Sequence, residues 1–288
     1  MANMLGVIGG SGLYHLPEME IIERREVSTP YGFASDPITI GRLSGLDIAF
    51  LARHGASHGH TPTELPYRAN IYALKAIGVT HLLTVSAVGS LNERLPPLSI
   101  VLPDQIIDRT TLRPSTFFGA GAVAHVGLAD PYCDVFRTHI RNAAAQISVS
   151  TTDGGTYICI EGPQFSTKSE SRLYRSWGGD VIGMTAMPEA RLAREAELCY
   201  ATLAMVTDFD VWHESTEPVT VEMVTKNLQK NGDAARALVR AIAAAGLPAR
   251  ACPCESALGF AIVTAADQIP PATRARLGVI ADRYLPPV

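Results

Sequence analysis

The sequence predicts an α/β fold carried by one domain. Short apolar runs of strand character alternate with segments of helical periodicity. The strand-like runs repeatedly end in glycine or polar clusters, as at Gly9-Gly10, Arg53-His54, Ser86-Ala87 and Asp208–Asp210. No repeat, low-complexity stretch or linker divides residues 1–288. A chain of this length can bury a large core, as one large α/β unit or two small ones, and the missing linker favours one.

Each element follows from its own pattern. The first strand covers 4–8 and runs into Gly9-Gly10-Ser11-Gly12. A second covers 47–52 and ends at Arg53-His54-Gly55. The spacing of Tyr67, Ile71 and Leu74 predicts a helix over 65–77, stopped by Gly78. A buried strand over 81–86 ends at Ala87-Val88-Gly89, and another over 155–160 precedes Glu161-Gly162-Pro163. Pro188 and Glu189 mark a helix start, and that helix leads to an apolar run over 200–206 closed by Asp208-Phe209-Asp210. An alanine-rich helix covers 233–245 and stops at Gly246; a last one follows Pro270-Pro271 and carries Leu277, Ile280 and Tyr284.

Composition removes several function classes. With 24 basic against 28 acidic side chains, net −4, the chain lacks the dense positive charge that nucleic acid demands. No stretch approaches the roughly 20 apolar residues of a membrane span, and the N-terminus lacks a basic signal-peptide region. A soluble, cytoplasmic protein is expected, with no nucleic-acid or membrane partner. The odd count of 5 cysteines argues against a disulfide framework. Cys133, Cys159 and Cys199 read as small core hydrophobes. Cys252-Pro-Cys254 leaves three readings: a strained ring, part of a metal site, or a reduced pair. No His or further Cys accompanies it at ligand spacing, so no metal is expected.

In open α/β sheets ligands gather at the carboxyl ends of strands, so the polar clusters suggest one site assembled from distant segments. Gly9-Gly10-Ser11-Gly12 can cradle a phosphate with inward-pointing amides and the Ser11 hydroxyl. It is neither a Walker A loop nor a dinucleotide fingerprint, and a plain glycine turn remains the alternative. Arg53 offers a fork for phosphate oxygens and His54 a further hydrogen bond. Against this stand an ordinary exposed loop and a metal site from His54, His58 and His60, which lacks carboxylate or thiol partners. Asp208 and Asp210, two apart, point the same way on an extended segment. Unless both are simply solvated, mutual repulsion and burial let one hold a proton near neutral pH.

Taken together and in order, these segments resemble the trimeric purine nucleoside phosphorylase family, in its methylthioadenosine-cleaving branch. The resemblance runs from Leu5 to about Asn231. It rests on Gly-Val-Ile-Gly-Gly-Ser-Gly-Leu at 6–13, Thr-Pro-Tyr-Gly at 29–32, Leu-Ala-Arg-His-Gly at 51–55 and Tyr-Arg-Ala-Asn-Ile-Tyr-Ala-Leu-Lys at 67–75. It continues through Ser-Ala-Val-Gly-Ser-Leu at 86–91, Asp-Arg-Thr-Thr-Leu-Arg-Pro-Ser-Thr-Phe at 108–117 and Glu-Gly-Pro-Gln-Phe-Ser at 161–166. Gly-Met-Thr-Ala-Met-Pro-Glu at 183–189 and Thr-Asp-Phe-Asp at 207–210 complete it. It implies a mixed, twisted central β-sheet flanked by helices, of the phosphorylase/hydrolase-like kind.

By the same resemblance, Ser11, Arg53, His54, Ser86, Ala87 and Thr185 match a phosphate site. Phe165, Ser166, Asp208 and Asp210 match the purine site, and Met184 the residue against the ribose. His125 matches a histidine lent by a neighbouring subunit, and Val221 and Val224 line a 5′-methylthio pocket. The implied reaction is phosphorolysis of 5′-methylthioadenosine, with Asp208 as acid, Asp210 in support, inorganic phosphate as co-substrate and no cofactor. A homotrimer or a dimer of trimers is expected. Thr-Asp-Phe-Asp replaces the asparagine-centred motif of 6-oxopurine enzymes, which favours a 6-amino base. Thr225, where the family carries an apolar residue, points to tolerance of adenosine. Broader use of inosine or methylthioinosine is the alternative reading, and a purine-binding protein without turnover the more distant one. Residues from about 232 to 288 diverge from the animal enzymes, and Cys-Pro-Cys is similar to a pair linked to disulfide chemistry in heat-adapted archaeal relatives.

Overall fold

The computed structural model describes residues 3–10, 16, 18–213 and 221–285, the side chains of 221–226 and 228 excepted. Ser11 therefore lies outside the described residues, as do the side chains of Val221, Val224 and Thr225. The chain opens with β1 (Met4–Gly9), β2 (Glu20–Arg25), β3 (Ser28–Thr29), β4 (Gly32–Phe33), β5 (Ile38–Leu43) and β6 (Leu46–Ala52). Then follow α1 (Tyr67–Ala76), β7 (Val79–Ser90), β8 (Ile100–Leu102), β9 (Gln105–Arg109), α2 (Asp134–Gln146), β10 (Thr152–Asp153) and β11 (Thr156–Ile160). The order closes with α3 (Lys168–Ser176), β12 (Val181–Gly183), α4 (Ala186–Glu195), β13 (Cys199–Asp208), α5 (Val221–Ala245) and α6 (Pro271–Leu277).

One 11-stranded mixed sheet dominates, with β13, β7, β1 and β6 parallel at its centre. These strands are buried on both faces, which explains why they read as unbroken apolar runs rather than alternating ones. On one face Ile8 and Leu82 pack with Ile71 and Leu74 of α1 and Ala190 and Leu192 of α4. On the other, Leu5, Val7 and Leu83 pack with Phe136 and Ile140 of α2 and Leu238 and Ile242 of α5. The α/β expectation with helices flanking a mixed sheet is borne out. At the edge, β5 and β2 pair antiparallel, and β2 presents Glu20, Glu23, Arg24 and Arg25, charges that block further pairing. Sequence patterning missed this hairpin because so charged an edge carries no apolar period.

Other differences have local causes. The strand expected over 81–86 continues through Ala87-Val88-Gly89 to Ser90, because β13 and β12 pair with that extension. The helix expected from 233 begins at Val221. The final helix ends at Leu277, where Gly278 takes a positive φ of 42° and a single tight turn follows. Helix α4 includes Ala186, but Met187 breaks its geometry (φ −114°, ψ 137°), so regular turns start at Pro188 as expected.

The long β7 places the functional region. β1 pairs with it from Val79 to Val85, and β12 pairs with it at Gly89 and Ser90. Gly89 also pairs with Asp208 of β13, so β12 must occupy the same edge as β1. Between those two neighbours, Ser86, Ala87 and Val88 keep a partner on the β13 edge alone, and the sheet opens there. β12 carries β11 and β9 away as a parallel extension. Glycine is required at Gly183, where a Cβ would stand 2.0 Å from the Tyr157 hydroxyl. Gly183→Ala is expected to destabilise the protein by about 1–3 kcal/mol through overpacking, checked by denaturant unfolding.

Candidate active site

A cavity of about 550 Å³ occupies that opening. Gly10, Arg53, His54, Ser86, Ala87 and Thr185 line it, together with Phe165, Ser166, Met184, Asp208 and Asp210. Every sequence-predicted site residue whose side chain is described thus comes to one place, His125 excepted. The positions follow from strand ends: Gly10 follows β1, Arg53 follows β6, Ser86 lies within β7, and Asp208 ends β13. The cavity runs along β7. Arg53 Nη1 donates to the Val85 carbonyl at 2.9 Å, while the ideal Cβ position at Gly89 lies 3.0 Å from Asp208 Oδ1. Four residues of extended chain separate these two anchor points by roughly 13 Å.

At the Val85 end the chemistry is cationic and hydroxylic. Arg53 is only 2% exposed and is held by Glu189, Nε to Oε1 at 2.8 Å and Nη2 to Oε2 at 3.4 Å. With Nη1 on Val85, two of the five guanidinium N–H groups have no partner among the described residues. Ser86 Oγ and Thr185 Oγ1 lie 3.1 Å apart, joining the opened stretch of β7 to the start of α4. Burial pushes the His54 imidazole down to about 4, so it is neutral near pH 7. Its Nδ1 faces the His60 carbonyl at 2.9 Å, and a carbonyl can only accept, so Nδ1 carries the proton. Nε2 is then a lone pair, and His54 offers an acceptor where the sequence suggested a donor.

At the Gly89 end stands the carboxylate pair, 6% and 7% exposed. Asp208 accepts from Thr207 Oγ1 at 2.7 Å and from the Asp210 amide at 2.8 Å. Asp210 sits at a positive φ of 51°, and its Oδ2 has no hydrogen-bond partner among the described residues. Burial raises both acids, and Asp210, also facing the Asp208 charge, is pushed up to about 6. Of the two, Asp210 holds a proton more easily. A bulge between Val206 and Asp208 turns the end of β13. Two asparagines one helical turn apart on α5 hold it: Asn231 Nδ2 donates to Val206 O at 2.9 Å, and Asn227 Nδ2 to Thr207 O at 2.6 Å.

The wall between is apolar, from Val85, Val88, Ile160, Ile182, Met184 and Met205. Phe165 lies half exposed on it, and the Ser166 hydroxyl is buried without a partner among the described residues. His125 lies elsewhere. It is exposed on the surface, its amide bonded to Ala261 O at 2.8 Å, and it does not line the cavity.

The family model described as the phosphorylase superfamily matches residues 4–244. The chain belongs to the phosphorylase superfamily. It is 52% identical over 280 residues to the S-methyl-5'-thioadenosine phosphorylase of Koribacter versatilis, covering 97% of this chain and 96% of that one. The protein of the same name from Thermosynechococcus vestitus is 50% identical over 292 residues, covering 99% and 100%. Among solved structures, a methylthioadenosine phosphorylase from an antarctic soil metagenomic library is 47% identical with a TM-score of 0.90, covering 97% and 99%. The methylthioadenosine phosphorylase of Schistosoma mansoni in complex with adenine is 36% identical with a TM-score of 0.82, covering 84% and 91%.

Within this superfamily scaffold, three groups that the sequence left without a role support the cavity. Glu189 anchors Arg53, as above. Arg113 lies in the Arg-Thr-Thr-Leu-Arg-Pro stretch and ties together the loops that close the wall. Its Nη1 donates to Tyr67 Oη at 2.9 Å and Met187 O at 2.6 Å, and its Nε pairs with Glu161 at 2.9 Å. Glu161 also accepts from Thr63 Oγ1 at 2.6 Å and from the Thr111 amide at 2.6 Å. The available signal was a lone acid inside an apolar helix start (Glu189) and an arginine and a glutamate inside two of the motifs. Glu189→Gln strands a buried guanidinium, so a loss of about 3–5 kcal/mol of stability is expected by denaturant unfolding.

Proposed function

We propose that this chain catalyses the reversible phosphorolysis of 5′-methylthioadenosine to adenine and 5-methylthioribose 1-phosphate, a pentosyl transfer in purine and methionine salvage. One observation carries the reading. A single cavity is lined by an arginine–hydroxyl cluster and by a buried carboxylate pair, in a chain about half identical to S-methyl-5'-thioadenosine phosphorylases along nearly its whole length.

Breaking the N-glycosidic bond builds positive charge on the ribose and negative charge on the leaving base, and catalysis gains most by stabilising both. Phosphate sits at the Val85 end, gripped by the two open N–H groups of Arg53, the Ser86 and Thr185 hydroxyls, the Ala87 region and Ser11. The His54 lone pair accepts the hydroxyl that monoprotonated phosphate still carries. A phosphate oxygen bonds to C1′ as the C1′–N9 electron pair withdraws into the purine, while the Asp208–Asp210 pair hydrogen-bonds N7 and the 6-amino group. The sequence reading gives Asp208 the N7 contact. The proton rests more easily on Asp210, so the pair shares one proton between the two tasks. Phe165 and Ser166 hold the base and Met184 packs on the ribose.

Val221, Val224 and Thr225 line the 5′ end in this reading, and Thr225 admits adenosine as a secondary substrate. A related Schistosoma mansoni protein is described as an adenosine/methylthioadenosine phosphorylase. His125 completes the 5′ end of a neighbouring subunit's site in a homotrimer or a dimer of trimers. Its surroundings support this, since Val123, Phe260 and Val263 are exposed on the same surface. Residues 1–288 act as one domain.

Methylthioadenosine, adenosine, inosine and methylthioinosine compared with and without phosphate test the reading. Adenine release must need phosphate and be fastest from methylthioadenosine; release into water alone overturns it. Thr185→Val is expected to raise the phosphate KM roughly ten- to hundred-fold by removing a hydrogen bond to an anion. Asp208→Asn is expected to lower kcat by about 10²–10⁴-fold with little change in the nucleoside KM. Because the protonated pair is the active form, wild-type kcat/KM should fall as pH rises through about 6, and Asp210→Asn should abolish that limb.

A further inference from the structure

Five cysteines lie among the described residues, all reduced, and four of them meet. The Sγ atoms of Cys133, Cys199, Cys252 and Cys254 lie within 4.8 Å of one another, with Cys199 and Cys252 at 3.5 Å. They come from three places: Cys133 caps the start of α2, Cys199 opens β13, and Cys252 and Cys254 belong to the segment after α5. We propose that these four thiols form a structural site for one zinc-type divalent ion, at the end of β13 remote from the cavity.

The geometry is that of a tetrahedral thiolate centre. Zinc–sulfur bonds of about 2.3 Å place neighbouring sulfurs about 3.8 Å apart, so four sulfurs within the observed spread need only small rotamer adjustments to share one ion. Cys252 and Cys254 supply two ligands from one short segment, a tighter spacing than the two to four intervening residues common in closed structural sites. Three of the four are buried and Cys252 is partly open, which gives the ion a way in. Binding sends the thiol protons to water and leaves four thiolates around a dication, a centre with two net negative charges. Arg194 Nη1 lies 3.7 Å from Cys254 Sγ, and the α2 N-terminus directs its amides towards the Cys133 end. Both offset that charge. Without an ion, four sulfurs would face one another with Arg194 on one of them and only weak S–H donors for the rest. The sequence reading saw no partners for Cys252-Pro-Cys254 because Cys133 and Cys199 lie far away along the chain.

The site would clamp the C-terminal segment onto the sheet, so its loss should show in stability and leave chemistry alone. The full chain, purified reduced and without chelator after growth with added zinc, is to be assayed for metal by mass spectrometry and for free thiols. One zinc per chain is expected. Replacement by cobalt(II) should give the thiolate-to-metal charge-transfer band and the intense visible bands of a tetrahedral tetrathiolate. Cys252→Ser with Cys254→Ser should lose the metal, lower Tm and keep methylthioadenosine turnover. A reduced chain that takes up no zinc, a cobalt spectrum without thiolate charge transfer, or thiols found paired as disulfides in the zinc-grown protein each overturns the proposal. Should the double variant fail to fold, metal content and the cobalt spectrum of the unaltered chain decide alone.

Discussion

A guanidinium sealed inside the protein organises everything around the cavity. Arg53 leaves the end of β6, reaches the Val85 carbonyl of β7 and closes on Glu189 of α4, all away from water. Burying two charges is expensive, and their attraction roughly repays the cost only when the geometry is good and spare donors find acceptors. Here the spare acceptor is a strand carbonyl, and Arg53 lines the cavity. The pair therefore fixes where α4 meets the sheet, which brings Thr185 beside Ser86. A lysine could not do this, since one ammonium lacks the planar fork that binds both carboxylate oxygens of Glu189 and a strand carbonyl at once.

The carboxylate end depends on a different device. An ordinary strand end would point Asp208 along the pleat. The bulge after Val206 turns it towards Gly89, and the asparagines of α5 satisfy the carbonyls that the bulge disturbs. Desolvation does the chemical work: two acids with little water around them carry both charges at a cost, and Asp210, pushed up to about 6, takes a proton as the pH falls. The neutral His54 shows the same physics with the opposite sign, since burial strips its proton.

Much of this was legible in the sequence wherever a feature is local. The four central parallel strands, α1 and the start of α4 were visible as apolar runs and periodicity, and the polar clusters at strand ends marked the cavity. Glycine and polar residues must stand there because backbone and side chains turn to face a ligand. What escaped is what arises only between distant segments. The exposed β2 shows no period, since its job is to be charged. The partners Glu189 and Arg113 gain meaning only when their loops meet. The tautomer of His54 depends on the carbonyl of His60 across a turn. Cys133 and Cys199 looked like core fillers because nothing adjacent in sequence shows that they converge on Cys252 and Cys254.

The opened stretch of β7 has a consequence for how such a protein can change. Arg53 and Ser86 hang on the trunk of the sheet, whose strands are locked by packing on both faces. Phe165 and Met184 belong to loops around β11 and β12, whose sheet pairing with that trunk is limited to two rungs at Gly89 and Ser90. A substitution at Phe165 or Met184 therefore disturbs a branch, whereas one at Arg53, Ser86 or Asp208 disturbs the trunk. On this architecture the loops that carry Phe165 and Met184 can be remodelled with little cost to the core, whereas Arg53 and Ser86 cannot move without unsettling strands packed on both faces.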